Sequence, residues 1–328
     1  QLAETFGVDA ASLYDENNEN VLTSVEAGDV ICIRTTVEPE NVRMVDSINP
    51  ISYRKTAKAI NKDKADLLIT RYWMSFFAPA LGTIARMVSK KTTKIALLDN
   101  VIPHEKRFFD DRFNRFYLNA HDGFVVMSEQ VANDLKSYLP NAKMLLLEHP
   151  KYNQFGDKIT QQDAQLKLGV STTQKTLLFF GLIRDYKGLD LLIEAFGKLD
   201  NDYQLIIAGE CYGAFEKYAN LIEQNSNKAN IHVFNRFIPD DEIAHYFSAA
   251  DLCVMPYKSA TQSGIHAISD HFEIPTLVTN VGGLPEYITD AETGVLVEDV
   301  SAQGITSGIK RFFTWKANTN FAANIRAK

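Results

Sequence analysis

The feature that most constrains this chain is a rhythm of short apolar runs separated by helix-length spacers. Runs lie at 66–73, 94–100, 123–128 and 143–150, and again at 176–181, 203–209, 230–237, 251–257, 275–280 and 294–298. Strands buried on both faces read as continuous apolar runs, and parallel neighbours need a crossover long enough to hold a helix. The pattern therefore predicts an α/β protein with two doubly wound parallel sheets, the first built from four of these runs and the second from six. The polar segment 151–163 lacks an apolar period and separates the two sets, so it reads as a linker. The domains are then 1–150 and 164–328, a division that 328 residues comfortably allow.

Local signals fill in the spacers. Residues 47–64 read as a helix opened by Pro50, 79–91 and 128–139 show helical spacing with Ser128 as N-cap, 309–328 reads as helix, and 29–36 as a strand. Residues 1–28 carry no assignable element.

Bulk properties exclude several classes of function. With 34 cationic against 41 anionic side chains the net charge is −7, which argues against a nucleic-acid partner. Cys32, Cys211 and Cys253 are widely spaced without a Cys-x-x-Cys pair, so they read as buried thiols and fit a reducing cytoplasm. No apolar run reaches the ~18 residues needed to cross a bilayer, and no leader opens the chain. Segment 84–94 is basic with some apolar spacing; it reads either as a solvated helix end or as a weak peripheral contact with the inner membrane.

The chemistry-bearing residues gather at strand ends. Residues 176–198 read as strand, tight loop and helix, with Gly181 at the strand end and the cations Arg184 and Lys187 in the loop. Open α/β sheets bind ligands at this edge, and cations beside a helix start suit a phosphate or diphosphate. In 259–272 a second helix begins at Ser263-Gly264. Free N–H groups of Gly264 and Ile265 would make an anion site there, while Gln262 can both donate to and accept from a sugar hydroxyl. In 281–286 paired glycines precede Glu286, which is either a helix-start carboxylate or a ligand to ribose or sugar hydroxyls; Glu210 has a similar strand-end place. In the first domain Arg71, Tyr72, Asp99, Asn100 and His104 stand at or near strand ends, where polar groups serve acceptor binding or proton transfer. Asp110 and Asp111 read as helix surface, and no ligand set has metal spacing.

The Gly-x-x-Arg-x-Tyr-Lys-Gly loop ending at Gly188, the Ala-Gly-Glu at 208–210, the run 256–264 and the Val-Gly-Gly-Leu-Pro-Glu at 281–286 together resemble the donor half of glycosyltransferase family 4, of GT-B fold, in a bacterial polysaccharide-type subgroup. The resemblance covers about 176–297. It implies two Rossmann-like domains facing a cleft, a retaining transfer from a nucleotide diphosphate sugar, bound as substrate without cofactor or metal, and a saccharide or lipid-linked acceptor. It implies that Arg184 and Lys187 hold the diphosphate and that His104 lies near the sugar, making these three the catalytic candidates. Most members carry two glutamates where this chain has Ala260 and Ile268, which leaves the sugar and ribose contacts to other groups. Relatives also continue into a further helix, so both ends read as trimmed. A nucleotide-sugar epimerase or a non-catalytic nucleotide-sugar binding protein of the same fold are the alternatives.

Overall fold

The computed structural model describes residues 30–32 (backbone only), 44–102, 107–147 and 154–328. The chain divides into two compact units, Gln1–Glu148 and His149–Lys328.

In the first unit, strand β1 (Val30–Cys32) precedes helix α1 (Pro50–Asp63), β2 (Leu67–Tyr72), α2 (Ala78–Met87), β3 (Thr93–Leu98), α3 (Asp110–Leu118), β4 (Gly123–Val126), α4 (Glu129–Tyr138) and β5 (Met144–Leu146). The sheet order is β1-β2-β3-β4-β5; β2 to β5 run parallel, and β1 is an antiparallel edge. Capping chemistry sets the helix starts. The Asn49 side chain accepts from the Ile51 amide ahead of Pro50, and Ser128 Oγ accepts from Val131 at 3.2 Å.

Of the acidic pair read as helix surface, Asp111 is exposed and Asp110 is the correction. It is 3% exposed, taking a hydrogen bond from Ser75 Oγ and another from the Arg107 amide at 2.5 Å. It thus anchors the start of α3 and offsets the helix dipole.

The second unit continues with α5 (Gln161–Leu168), β6 (Lys175–Phe180), α6 (Leu189–Phe196), β7 (Tyr203–Ala208), α7 (Glu216–Glu223), β8 (Ile231–Phe234), α8 (Asp240–Ala249), β9 (Leu252–Met255), α9 (Gly264–His271), β10 (Thr276–Thr279), β11 (Gly294–Val297), α10 (Ala302–Lys316) and α11 (Phe321–Ala327). All six strands are parallel in the order β11-β10-β9-β6-β7-β8. Side chains alternate through β6: Leu178 and Phe180 enter the core on one face with Phe247 and Phe272, whereas Leu177 and Phe179 enter the other with Leu192 and Phe196. Each fully buried Leu or Phe contributes roughly 1.5–3 kcal/mol, so both faces hold the sheet.

The order has one functional consequence. The chain leaves β6 toward β7 but leaves β9 toward β10, in the opposite direction, so the loops after these adjacent strands part and open a crevice between them.

Two expectations differ in detail. Of the segment read as a linker, residues 154–163 are docked on the second unit: Phe155 is buried in its core, Ile159 donates to Ser248 Oγ at 3.1 Å, and α5 already begins at Gln161. The terminal helix is two helices, broken at 317–320, where the Asn320 side chain caps α11 by accepting from Ala323. Among the described residues no helix is long and apolar enough to cross a membrane.

Candidate active site

The loops at the carboxyl edge of the second sheet are pinned to one another by glycines. Gly188 has φ +68°, and a Cβ there would lie 1.9 Å from the Pro256 carbonyl oxygen. Only glycine lets the end of the Lys187 loop lie against the loop after β9. The Lys258 amide completes the join by donating to the Tyr186 carbonyl at 2.7 Å. In the same way a Cβ on Gly209 would meet the Gly181 oxygen at 2.2 Å, and one on Gly282 the Ala260 oxygen at 1.5 Å. The ends of β6, β7, β9 and β10 are thereby drawn together.

Lys187 sits at the centre of this arrangement, at the end of a single 3₁₀ turn (Asp185–Lys187), and is 8% exposed. Burial pulls its pKa down to about 8, with the nearby charge of Arg184 acting in the same direction and Cys253 opposing. Among the described residues no carboxylate comes within ion-pair distance of its Nζ, which stands 5.6 Å from the centre of the Tyr257 ring. A cation taken out of water without a counter-charge is an electrostatic demand for an anion.

The start of α9 faces the same space. The Ser263 side chain caps the helix, accepting from the Ile265 amide at 3.4 Å, and its Oγ is 3.2 Å from the Tyr257 hydroxyl. The expectation of two free amides is corrected here: that of Ile265 is capped, and that of Gly264 has no partner among the described residues. Gly181, at φ +94°, lets this helix approach, since a Cβ would lie 2.9 Å from Ile265 Cδ1 and 3.4 Å from Lys187 Nζ.

The result is a cavity of about 340 Å³ at the β6/β9 crevice, with Lys187, Gln262, Ser263, Gly264 and Ile265 in its wall. Tyr186, Tyr257, Phe155 and Ile268 line it as well. The first two follow directly from the motif strings, whereas Phe155 lay hidden in a polar segment. Ile268 puts an apolar side chain where most members of the resembled family have a glutamate.

Four expected donor-side residues, Gly181, Arg184, Glu210 and Glu286, are not in this wall. Arg184 lays its guanidinium 3.6 Å over the Tyr212 ring, and Glu210 and Glu286 are exposed on neighbouring loops. A larger cavity of about 640 Å³ lies at the amino edge of the same sheet, where Lys316 is paired with Asp251. It is remote from the strand ends that bind ligands in this architecture. Among the described residues no group of three His, Cys, Asp or Glu side chains could hold a metal ion.

In the first unit, Arg71 and Asp99 meet at the ends of β2 and β3 in a two-point ion pair, 2.7 Å from Nε to Oδ2 and 3.3 Å from Nη2 to Oδ1. Asn100 follows directly, half-buried. Tyr72 is a correction: it is 1% exposed, stacks on Tyr117 at 4.0 Å and donates its hydroxyl to Asn114 at 2.5 Å, so it is core rather than acceptor surface. His104 lies outside the described residues.

Two α/β units, the second doubly wound around a crevice with an unpaired cation, define the class as the GT-B fold. Solved structures bear this out. Sucrose-phosphate synthase from Thermosynechococcus elongatus superposes with a TM-score of 0.72 at 16% identity, covering 84% of this chain and 74% of that one. HepE of Anabaena in complex with UDP-glucose gives 0.71 at 14% identity, covering 84% and 76%.

Residues 160–328 match the family described as Glycosyl transferases group 1, and the chain belongs to that family. The D-inositol 3-phosphate glycosyltransferase of Corynebacterium aurimucosum is 24% identical over 265 residues, 73% of this chain. That of Paenarthrobacter aurescens is 30% identical over 135 residues, 40% of this chain. The chain spans 61% of the first relative's length and 33% of the second's.

Proposed function

We propose that the chain is a retaining glycosyltransferase that moves a sugar from a nucleotide diphosphate donor to a saccharide or lipid-linked acceptor in polysaccharide or glycoconjugate synthesis. The observation that carries this reading is the buried, unpaired Lys187 ammonium facing the free Gly264 amide across the β6/β9 crevice. A diphosphate would satisfy both, and its two charges would offset the cost of Lys187's burial. The complex of HepE with UDP-glucose supports the donor class.

In the reaction, the acceptor oxygen forms its bond to the anomeric carbon on the face from which the diphosphate oxygen departs. The acceptor proton passes to the departing oxygen. Lys187, the α9 start and the charge of Arg184 stabilise the negative charge that builds on the leaving group, so catalysis is orientation and electrostatics without a covalent intermediate. Gln262, at the cavity wall, is placed to hydrogen-bond sugar hydroxyls, and the exposed Glu286 and Glu210 flank the site for ribose or sugar. On the acceptor side, Asp99, fixed by Arg71, and Asn100 present polar groups at strand ends, with His104 the acid–base candidate.

The test is thermal shift and calorimetry with UDP, GDP, ADP and their common sugar conjugates, since a bound ligand stabilises the native state by mass action. Stabilisation by one nucleotide diphosphate, abolished by Lys187→Ala, is the expected result. Binding of none, or binding indifferent to the substitution, defeats the reading.

A further inference from the structure

Lys187 and the start of α9 belong to different loops, so a diphosphate can meet both only if those loops keep a fixed separation. One residue outside the cavity wall spans the gap. Lys258, in the loop after β9, holds the turn that carries Lys187 by its backbone and by its side chain. Its amide donates to the Tyr186 carbonyl at 2.7 Å, and its ammonium donates to Asp185 Oδ2 at 3.3 Å and to Asp190 Oδ2 at 2.8 Å. Asp185 opens the 3₁₀ turn and Asp190 lies in the first turn of α6, so the attachments fall on both sides of Lys187. The same loop runs on to Ser263, the cap of α9.

Lys217, from α7, backs the same two carboxylates: it donates to Asp185 and stands 3.9 Å from Asp190 Oδ2. The acids nearest to Lys187 in sequence are therefore engaged by other ammoniums. Stability does not account for this arrangement. The side chains of Asp185 and Lys217 are 64% and 52% exposed, and exposed ion pairs add little. Asp190 Oδ1 is buried with no hydrogen-bond partner among the described residues, which is a cost to the fold. What the four charges do fix is the place of the Lys187 turn relative to the loop that leads into α9.

We infer that Lys258 is a positioning residue for donor binding: by holding Asp185, Tyr186 and Asp190 it sets the separation of the Lys187 ammonium and the Gly264 amide to suit a diphosphate. The inference rests on the reading of this crevice as the donor site, and it gives Lys258 no contact with the substrate. Without the brace the turn leaves the loop after β9, water reaches the Lys187 ammonium, and the two anion-binding groups no longer act together. A single phosphate cannot bridge them, so its binding is much less sensitive to their separation.

The test uses the full chain with Lys258→Met and, separately, with Asp185→Asn and Asp190→Asn together. UDP and UMP are titrated by calorimetry. The Lys187 ammonium is titrated by NMR without nucleotide, its signal assigned by its loss in Lys187→Met. Both variants are expected to bind UDP roughly tenfold or more less tightly while UMP changes by less than about threefold. Lys258→Arg, whose guanidinium can serve both carboxylates, is expected to restore UDP affinity. The Lys187 midpoint, about 8 in the wild type, is expected to rise toward 10.5 in both variants as water enters. That shared direction is diagnostic. Through their fields alone, loss of the Lys258 cation would raise the midpoint and loss of the two carboxylates would lower it. Shifts of opposite sign therefore overturn the inference, as does a lowered Tm with the UDP-to-UMP ratio and the midpoint unchanged, which would make the brace merely structural. If UDP binds the wild type and both variants alike, the donor-site reading stands and the inference falls. If the midpoint rises in both variants but UDP binds none of the proteins, the positioning of Lys187 stands and the donor-site reading falls.

Discussion

Lys187→Met replaces the buried ammonium with a side chain of similar length and no charge. Its folded pKa of about 8 lies below the ordinary 10.5, so the unfolded chain holds this proton more tightly than the native one. The difference corresponds to about 3 kcal/mol of native-state cost at neutral pH. The substitution should therefore stabilise the unliganded protein by up to about 3 kcal/mol at pH 7, raising Tm by about 6–12 °C for a unit of this size. The sign fixes the pH window: wild-type stability rises as pH increases from about 8 toward 10.5 while Lys187 loses its proton, so the gap between the two proteins is full below pH 8 and closes by 10.5. The same change should weaken UDP roughly 10- to 100-fold through loss of a charge-assisted hydrogen bond. Calorimetric unfolding from pH 7 to 10.5, with and without UDP, measures both effects. A variant less stable than wild type at pH 7, or a gap indifferent to pH, would refute the desolvated-ammonium argument. Unchanged UDP affinity would refute the donor role even if the stability effect appeared.

Other predictions test the frame around this residue. Gly188→Ala places a methyl 1.9 Å from the Pro256 oxygen at φ +68° and should cost about 2–4 kcal/mol in urea unfolding, with UDP binding lost. Gly213→Ala, at φ +100° with nothing within 4 Å, should cost only about 1 kcal/mol; equal losses at the two positions would show that loop contact is not the cause. Ser263→Ala removes the cap of α9 and should destabilise by about 1 kcal/mol while weakening UDP less than Lys187→Met does. In the first unit, burial pulls His121 down from 6.5 to about 4, and its ring joins Thr70 Oγ1 at 2.9 Å to the Tyr117 carbonyl at 3.0 Å. The native state keeps this ring neutral, so stability present above pH 6.5 should be lost as pH falls toward 4. Titration of the His121 ring by NMR with a midpoint near 6.5 would contradict it.

The strands were legible because their apolar runs are continuous, and every parallel strand of both units matches a run read from sequence to within one residue at its start, β3 and β6 beginning one residue early. Helix starts were legible where a single capping residue carries the signal, as at Pro50 and Ser128. What sequence could not supply is the order of the strands in the second sheet, and hence the β6/β9 crevice, because that order depends on pairings between residues far apart in the chain. The close contacts of Gly188 with Pro256 and of Gly282 with Ala260 were invisible for the same reason. Tyr72 was misplaced because a strand buried on both faces loses the alternation that separates inward from outward residues. The break at 317–320 did carry a signal in Asn320, which caps the second helix.

The glycine contacts at the sheet edge also bear on how sugar preference can change over evolutionary time. A loop clamped at its backbone cannot be lengthened or re-angled without moving its neighbours, so insertions near Gly188, Gly209 or Gly282 would be purged. Variation is left to side chains in the cavity wall, such as Gln262 and Ile268. Diversification at this edge would then proceed by point replacement at a few wall positions, while the scaffold around the β6/β9 crevice stays fixed.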